Sequence, residues 1–369
     1  DPSHTESYGG GMTTDSPHRI ILWGTGFVGT MVLAEILDNP AWDLAGVIVN
    51  DPAELGRDVG DLGGRPATGV VASSDAADGL SREADAVAYY GPTAELAGEN
   101  IRNISAALRA GKDVVSTAMT PWVYPAVCAD HEIEAVRNAC IEGGTSCFTT
   151  GIDPGFANDL FPLTVMGVCG RVDTVRIQEI LNYDSYTGSY EPMGFGKPLE
   201  YRALLETTDI LVYAWGRTIP MIADAMGVDL DGIDSVYDKW EAPADIPTAQ
   251  GAIPAGTCGA VRFEIRGLVG GEPRIVIEHV NRMGIDAAPD WPRGSMEDDD
   301  VYRIKIIGSP NVTQETAFRR ERDGDPNGGG CLATGMRALN CVPAVIAAPP
   351  GLVSPLDLPI QPGVGVLRP

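Results

Sequence analysis

Three glycines at fixed spacing open the chemistry of this chain. Gly24-Thr25-Gly26-Phe27-Val28-Gly29 follows the short apolar run at 18–23 and leads into a helical segment at 30–37. In a strand–turn–helix context, G-x-G-x-x-G has a physical reading. Gly24 permits the tight turn, Gly26 lets the backbone approach a pyrophosphate, and Gly29 lets helix and strand pack closely. The helix start adds free N–H groups and a partial positive charge for phosphates. The six residues are therefore candidates for binding a dinucleotide, NAD or NADP. The next strand ends at Val49-Asn50-Asp51, about 20 residues on, where the adenosine ribose is held. Asp51 there favours the 2′-hydroxyl of NAD. Asn50 with Arg57 would instead accept the 2′-phosphate of NADP, so both cofactors stay open. Gly91-Pro92, Ser116-Thr117-Ala118 and Gly151 fall at the ends of later strands, along the nicotinamide side.

A second set of residues could move protons. His279 lies in Ile277-Glu278-His279-Val280, and on an alternating strand it shares a face with Ile277 and Asn281. A histidine so placed could donate to a carbonyl oxygen or imine nitrogen. Glu179, in the strand around 172–183, points toward the cleft of the second domain. Tyr183 and Tyr186 flank that strand's end, Tyr183 as a proton donor and Tyr186 as a pocket residue. Asp153 precedes Pro154 at a helix start and reads as a cap. No H-E-x-x-H and no Cys/His cluster is present, so no metal is expected.

The elements that must position these groups form two patterns. From residue 19 to 153, apolar strands at 44–49, 84–90, 114–117 and 146–150 alternate with helices at 30–37, 100–110 and 130–141. That rhythm predicts a Rossmann, doubly wound parallel sheet. From 154 to 328 the rhythm changes. Long neighbouring strands at 172–183, 261–267, 274–283 and 301–307, with a Gly270-Gly271 hairpin turn, predict a second α+β domain with a large, mostly antiparallel sheet. Residues 199–226 read as mostly helical with a break at Pro220. Residues 323–330 read as a loop, and a helix at 331–347, within the 329–369 segment, is expected to pack back on the first domain.

The 369 residues suffice for two domains, and 44% hydrophobic with 21% charged residues fit a globular protein. A net charge of −25 repels nucleic-acid phosphates and excludes them as partners. Seven cysteines without a C-x-x-C pair read as buried thiols in a reducing, cytoplasmic setting. The most apolar stretch, 209–228, carries Asp209, Arg217 and Asp224 and does not suit a bilayer. Residues 1–18 read as a tag remnant and flexible N-terminus without a signal peptide.

Motifs spread along the chain resemble one family. They are Gly24 to Gly29, the segment from Gly111 to Ala118, Tyr124-Pro125, Thr150-Gly151-Ile152-Asp153-Pro154-Gly155-Phe156, Met193-Gly194-Phe195-Gly196, Glu278-His279-Val280, and Thr334 to Asn340 leading into Ala347 to Gly351. Together they resemble dihydrodipicolinate reductase N-terminal-domain proteins, the group containing 2,4-diaminopentanoate dehydrogenase and the native amine dehydrogenases, and most closely its actinobacterial paralogues. The resemblance implies hydride transfer between a nicotinamide and an amine-bearing carbon through an imine and a ketone. It also implies a homodimer, and pocket walls at Met119, Trp122, Phe156 and Thr334. In the amine dehydrogenases a glutamate follows the Thr-Ala of the segment at 111–118. Here Met119-Thr120-Pro121-Trp122 stands in that place, without a carboxylate.

The reading is an NAD(P)H-dependent oxidoreductase acting on a small, largely apolar ketone, imine or amine. The missing glutamate keeps two alternatives open: a carbonyl or double-bond reductase, and a non-catalytic NAD(P)H-binding sensor.

Overall fold

The computed structural model describes residues 16–92, 96–188, 190–296 and 299–367. Residues 1–15 of the expected tag remnant and flexible N-terminus lie outside the described residues, and His18, expected to belong to it, is the first residue of the opening strand. Strands β1 (His18–Trp23), β2 (Trp42–Ile48), β3 (Ala86–Tyr89), β4 (Asp113–Ser116) and β5 (Ser146–Thr149) are all parallel. Helices α1 (Phe27–Asp38), α2 (Val59–Leu62), α3 (Ala76–Ser81), α4 (Ala97–Arg109) and α5 (Asp130–Gly143) connect them. The strands are short because both faces are covered: Ile20, Ile21 and Leu22 are consecutive and all fully buried. β1 lies between β2 and β3. The chain thus leaves β1 on one side and later returns on the other, which opens a crevice at the carboxyl ends of β1 and β3.

After β5, α6 (Leu160–Met166) leads to β6 (Arg171–Asn182). Then come α7 (Thr208–Leu211), a π-helical turn at Val212–Gly216, α8 (Thr218–Met226), β7 (Gly232–Glu241) and the small pair β8 (Ile246–Thr248) and β9 (Gly251–Ile253). The long strands β10 (Cys258–Val269), β11 (Glu272–Arg282) and β12 (Val301–Ser309), with β13 (Val312–Thr316), complete a sheet of order β13-β12-β6-β11-β10-β7. Only the β6–β11 pair in it is parallel. Gly270 and Gly271, both at positive φ, make the β10–β11 turn. One face of the sheet buries Val175, Ile177, Ile265, Ile277 and Ile304 against Leu211, Ile219 and Ile222 of the helical layer.

α9 (Pro326–Asn340), α10 (Val342–Ile346) and β14 (Gly351–Val353) end the described fold. Gly335 of α9 lies so close to α1 that a Cβ would sit 2.3 Å from Val32. β14 pairs with β5 as the sixth strand of the parallel sheet, where only a packed tail was expected.

The structure corrects several boundaries. α9 begins at Pro326, inside the expected loop, because Asp325 caps it and Pro326 fits the first helical turn. Pro220 does not break its helix; it lies in the first turn of α8, where a missing N–H costs little. The irregularity falls at the π-helical turn instead. Three of the seven free cysteines, Cys128, Cys169 and Cys331, are only half-buried. Among the described residues no helix is long and apolar enough to cross a membrane.

Candidate active site

The glycine-rich turn has the geometry its spacing implies. Gly24 has φ +101°, and a Cβ there would lie 2.5 Å from the Tyr90 carbonyl oxygen. A Cβ on Gly29 would fall 1.9 Å from the Gly24 oxygen. Gly26 differs: its φ is −64°, and the position of its missing Cβ has no atom within 4 Å. Gly26 opens α1, whose first turn carries no acidic residue and no capping side chain. The space in front of it therefore suits a pyrophosphate. Thr25 donates its hydroxyl to the carboxylate of Glu54. Phe27 is exposed, and Val28 packs beside α9. At the end of β2, Asn50, Asp51 and Arg57 are exposed. Asp51 Oδ1 accepts from the Ala53 amide at 2.8 Å, which orients its carboxylate. Gly91, Pro92, Ser116, Thr117, Ala118 and Gly151 follow the ends of β3, β4 and β5 along the crest. There Ser116 Oγ accepts from the Ala118 amide at 3.0 Å.

The second sheet meets this crest with a single row of side chains. Strand register places Tyr237, Phe263, His279, Glu179, Tyr302 and Thr316 next to one another on six successive strands. The adjacent row on the same face is Ile265, Ile277, Ile177 and Ile304 across the four central strands. Polar groups set into an apolar face carry a desolvation cost, so their presence needs partners. Glu179 Oε1 accepts from Tyr183 Oη at 2.8 Å and from Asn281 Nδ2 at 2.9 Å. His279 Nδ1 lies 3.3 Å from that same oxygen. On the other side of the imidazole, Nε2 lies 3.4 Å from Oδ2 of Asp153, which reaches in from the segment after β5. Both contacts are at ion-pair distance but off the hydrogen-bond axis, so neither ring nitrogen has an aligned partner among the described residues. The Asp153 side chain is 3% exposed and also accepts from Asn158.

Burial is the largest single cause at each of the three groups, and it decides the net shift only at Asp153. It pushes Asp153 up to about 8; the His279 charge opposes this, and Glu179 and Asp159 reinforce it. Burial also works against ionised Glu179, but His279 and the donors Asn281 and Tyr183 hold it below the usual carboxylate range. For His279, burial favours the neutral ring, and Asp153 and Glu179 together outweigh it and raise its pKa. Along the row these shifts favour a protonated carboxyl at Asp153, the charged form of His279 and an ionised Glu179.

His279, Glu179 and Tyr183 thus come together. Asp153 joins them, although Asp-Pro at a helix start reads as a cap. The cap of α6 is Asp159, whose carboxylate accepts from the Leu160 and Gly155 amides. Of the expected pocket residues, Phe156 packs with Ile152, Leu181 and Tyr302 beside the row. Thr334 Oγ1 accepts from the Ile152 amide at 3.3 Å, and the Tyr186 ring lies 5.0 Å from that of Tyr183. Met119 and Trp122 do not belong to this wall. They are 2% and 1% exposed, folded by a 3-10 turn into the apolar layer with Ile104, Leu108 and Ile133 of α4 and α5. Asp153, Glu179 and His279 each offer a ligand atom within 4.8 Å of the others. Yet the two carboxylates address different ring nitrogens, an arrangement for sharing a proton rather than for one ion bonded by all three.

A parallel sheet with its glycine-rich turn at the switch point, facing a second sheet with a buried acid–imidazole–acid row, defines a Rossmann-type NAD(P)-dependent oxidoreductase. Residues 156–365 match the family model of the 2,4-diaminopentanoate dehydrogenase C-terminal domain. The chain is 37% identical to an amine dehydrogenase of Streptomyces virginiae over 353 residues, 94% of this chain and 98% of that protein. It is 25% identical to the 2,4-diaminopentanoate dehydrogenase of Acetoanaerobium sticklandii over 252 residues, 67% of each. The fold matches the structure of an amine dehydrogenase from Mycobacterium smegmatis with a TM-score of 0.73 at 22% identity, covering 94% of this chain and 98% of that one. The chain belongs to the 2,4-diaminopentanoate dehydrogenase and amine dehydrogenase family, as its motifs implied.

Proposed function

We propose that this protein moves hydride between a nicotinamide and the carbon of a small, largely apolar ketone, imine or amine, with Asp153 as the proton carrier. One observation carries the reading. A neutral-leaning carboxyl, an imidazole and a carboxylate stand in line at the crest of the parallel sheet, while the motif position that holds a glutamate in the amine dehydrogenases reads Met119-Thr120. In this reading the proton-carrying group comes from the segment after β5 rather than from the one after β4. The bound nicotinamide supplies or takes up the hydride. Protonated Asp153 donates to the leaving hydroxyl or the nitrogen during reduction, and ionised Asp153 accepts from the amine during oxidation. His279 lets that charge spread toward Glu179, and Tyr183 and Asn281 keep Glu179 anionic. Ile152, Phe156, Leu181 and Tyr302 supply an apolar wall for the substrate.

Two carboxylates favour NAD over NADP: exposed Asp51 and Glu54, the latter held by Thr25 of the glycine-rich turn. A 2′-phosphate would be repelled there, and Arg57 is the compensating cation available to NADP. In this reading residues 19–153 hold the cofactor, 154–328 hold substrate and self-associate, and 329–369 brace the first unit. The outer face of the second sheet, where Arg176 and Arg262 surround Glu264 and Glu278, is the surface a second copy would cover. The empty motif position at Met119-Thr120 also favours a second reading, plain carbonyl or double-bond reduction. Oxidation of NADH with a panel of ketones, with and without ammonia, separates the two. Turnover that depends on ammonia supports amination, and turnover indifferent to it supports plain reduction. Tight cofactor binding with no turnover on any ketone, enone or amine refutes both.

A further inference from the structure

We propose that Trp215 is a positioning residue for His279, and that the π-helical turn between α7 and α8 exists to deliver its indole onto that imidazole. The inference rests on the role given above to His279.

The imidazole has an orientation problem. Its two nitrogens face Glu179 and Asp153 at 3.3 and 3.4 Å without an aligned hydrogen bond. Polar contacts therefore do not fix the rotation of the ring, and packing must. Two aromatic rings touch it. Phe263, its neighbour in the row, stacks at 4.6 Å and 15°. Trp215 comes from the helical layer above, 5.0 Å away and tilted by 60°, and also meets Phe263 at 5.4 Å. Tyr237 stacks behind Phe263 at 2° and donates to the Met193 carbonyl, so the stack is anchored at its far end. The three rings meet pairwise in a triangle, and a cationic imidazole packed against aromatic rings gains from their quadrupoles, most from indole.

The backbone carrying Trp215 is itself unusual. Residues Val212–Gly216 form a π-helical turn, which inserts one residue into the helical phase. A Cβ on Gly216 would lie 3.1 Å from Ile265, so the turn presses directly on β10. The Trp215 carbonyl accepts from Thr218 Oγ1 at 3.1 Å. Arg217, the next residue after the turn, ties this layer to the parallel-sheet unit through Glu132 at 2.7 Å. The segment carrying Trp215 and Arg217 thus touches both the imidazole of the second sheet and the start of α5.

The groups facing His279 are Asp153 from the β5 segment, Glu179 from β6 with its donors Tyr183 and Asn281, Tyr302 from β12, and Glu278 of its own strand. All remain when Trp215 is replaced, so a shift in the titration of His279 isolates the indole. The experiment uses the full chain and compares Trp215→Leu, Trp215→Phe and His279→Gln. Steady-state rates are measured against pH in the reductive direction, together with cofactor affinity and a histidine NMR titration of the enzyme without substrate. Trp215→Leu stays apolar but loses the ring face and part of the volume. It is expected to lower kcat about tenfold, leave cofactor Kd within twofold, and move the His279 titration about one unit to lower pH. Trp215→Phe is expected to retain most of kcat and an almost unmoved titration. Should the leucine variant fail to fold, a phenylalanine variant that loses the titration outright, or a wild-type His279 titration with no response in the indole resonances, overturns the proposal. A leucine variant with unmoved titration and only a raised KM also overturns it, making Trp215 a plain wall. If His279→Gln keeps full kcat, the role assigned to His279 fails first, which distinguishes that failure from failure of the Trp215 proposal.

Discussion

Replacing Gly26 and Gly29 by alanine separates ligand binding from folding within a single six-residue turn. At Gly26 the backbone is at φ −64°, which alanine adopts freely, and the added methyl meets nothing within 4 Å. Two small terms then compete. A less flexible unfolded chain stabilises by about 0.4–1 kcal/mol, and alanine is a poorer N-cap than glycine by a similar amount. Gly26→Ala should leave Tm within about 2 °C of wild type. With cofactor the outcome differs, because the methyl occupies the space through which a pyrophosphate reaches the first amides of α1. Losing one charge-assisted hydrogen bond costs about 1.5–3 kcal/mol, roughly a 10- to 150-fold rise in Kd. At Gly29 the methyl would fall 1.9 Å from a backbone oxygen that cannot swing aside as a side chain would. Gly29→Ala should cost about 3 kcal/mol or more through backbone displacement, and Tm should fall by several degrees without any ligand. Thermal melts with and without NADH, and titration of intrinsic tryptophan fluorescence, read both quantities. Unchanged NADH affinity in Gly26→Ala, with the protein folded, refutes the placement of phosphates on this turn.

Three further outcomes follow from the site. Asp153 is protonated below about 8, so the reductive rate should fall as pH rises through that value; Asp153→Asn should lose the limb and about 10²- to 10⁴-fold in kcat, and an unchanged pH–rate profile counts against Asp153. Glu179 is held below its ordinary pKa partly by Tyr183, so Tyr183→Phe should move the acid limb to higher pH by a fraction of a unit to about one unit; an acid limb that stays in place removes Tyr183 from the relay. Glu54→Gln takes away the carboxylate held by Thr25 of the glycine-rich turn, where the proposed reading seats the ribose, and kcat/KM with NADPH should rise about tenfold relative to NADH, whereas an unaltered ratio would show that Glu54 does not govern cofactor choice.

What could be read from the sequence, and what could not, divides along the range of the interactions involved. The turn from Gly24 to Gly29 lies between a strand and a helix adjacent in the chain, so its spacing read together with that local context identified it, although the Tyr90 carbonyl that crowds Gly24 follows the distant strand β3. His279, Glu179 and Tyr183 could be named as polar groups on strands, but their meeting depends on the parallel pairing of β6 with β11, strands about a hundred residues apart. Asp153 was concealed because Asp-Pro before a helix is ordinary capping chemistry, and only the presence of Asp159 in the cap frees it for the site. Trp215 was concealed because one inserted residue in a helical run leaves no periodic trace. Met119 and Trp122 were placed on the wall by their motif position, yet Pro121 and a 3-10 turn direct them into the core. β14 has three residues, too few for an alternation to register.

The role proposed for Asp153 has an electrostatic logic. A fully ionised Asp153–His279–Glu179 row would carry one uncompensated negative charge in a site where the His279 and Asp153 side chains are 1% and 3% exposed. With a proton on Asp153 the row sums to zero, and this form is favoured in a medium of low dielectric constant. The same burial that raises Asp153 also makes its ionised form sensitive to any positive charge placed opposite it. An oxidised nicotinamide carries such a charge and a reduced one does not, so Asp153 ionises most readily in the state in which its proton has already been given to product. A carboxylate in a wetter setting would ionise with little regard to what faces it. In the proposed reading the cost of burying Asp153 would be the means by which the protonation state of this chain follows the oxidation state of its cofactor, with His279, packed against Phe263 and Trp215, set between the two carboxyl groups.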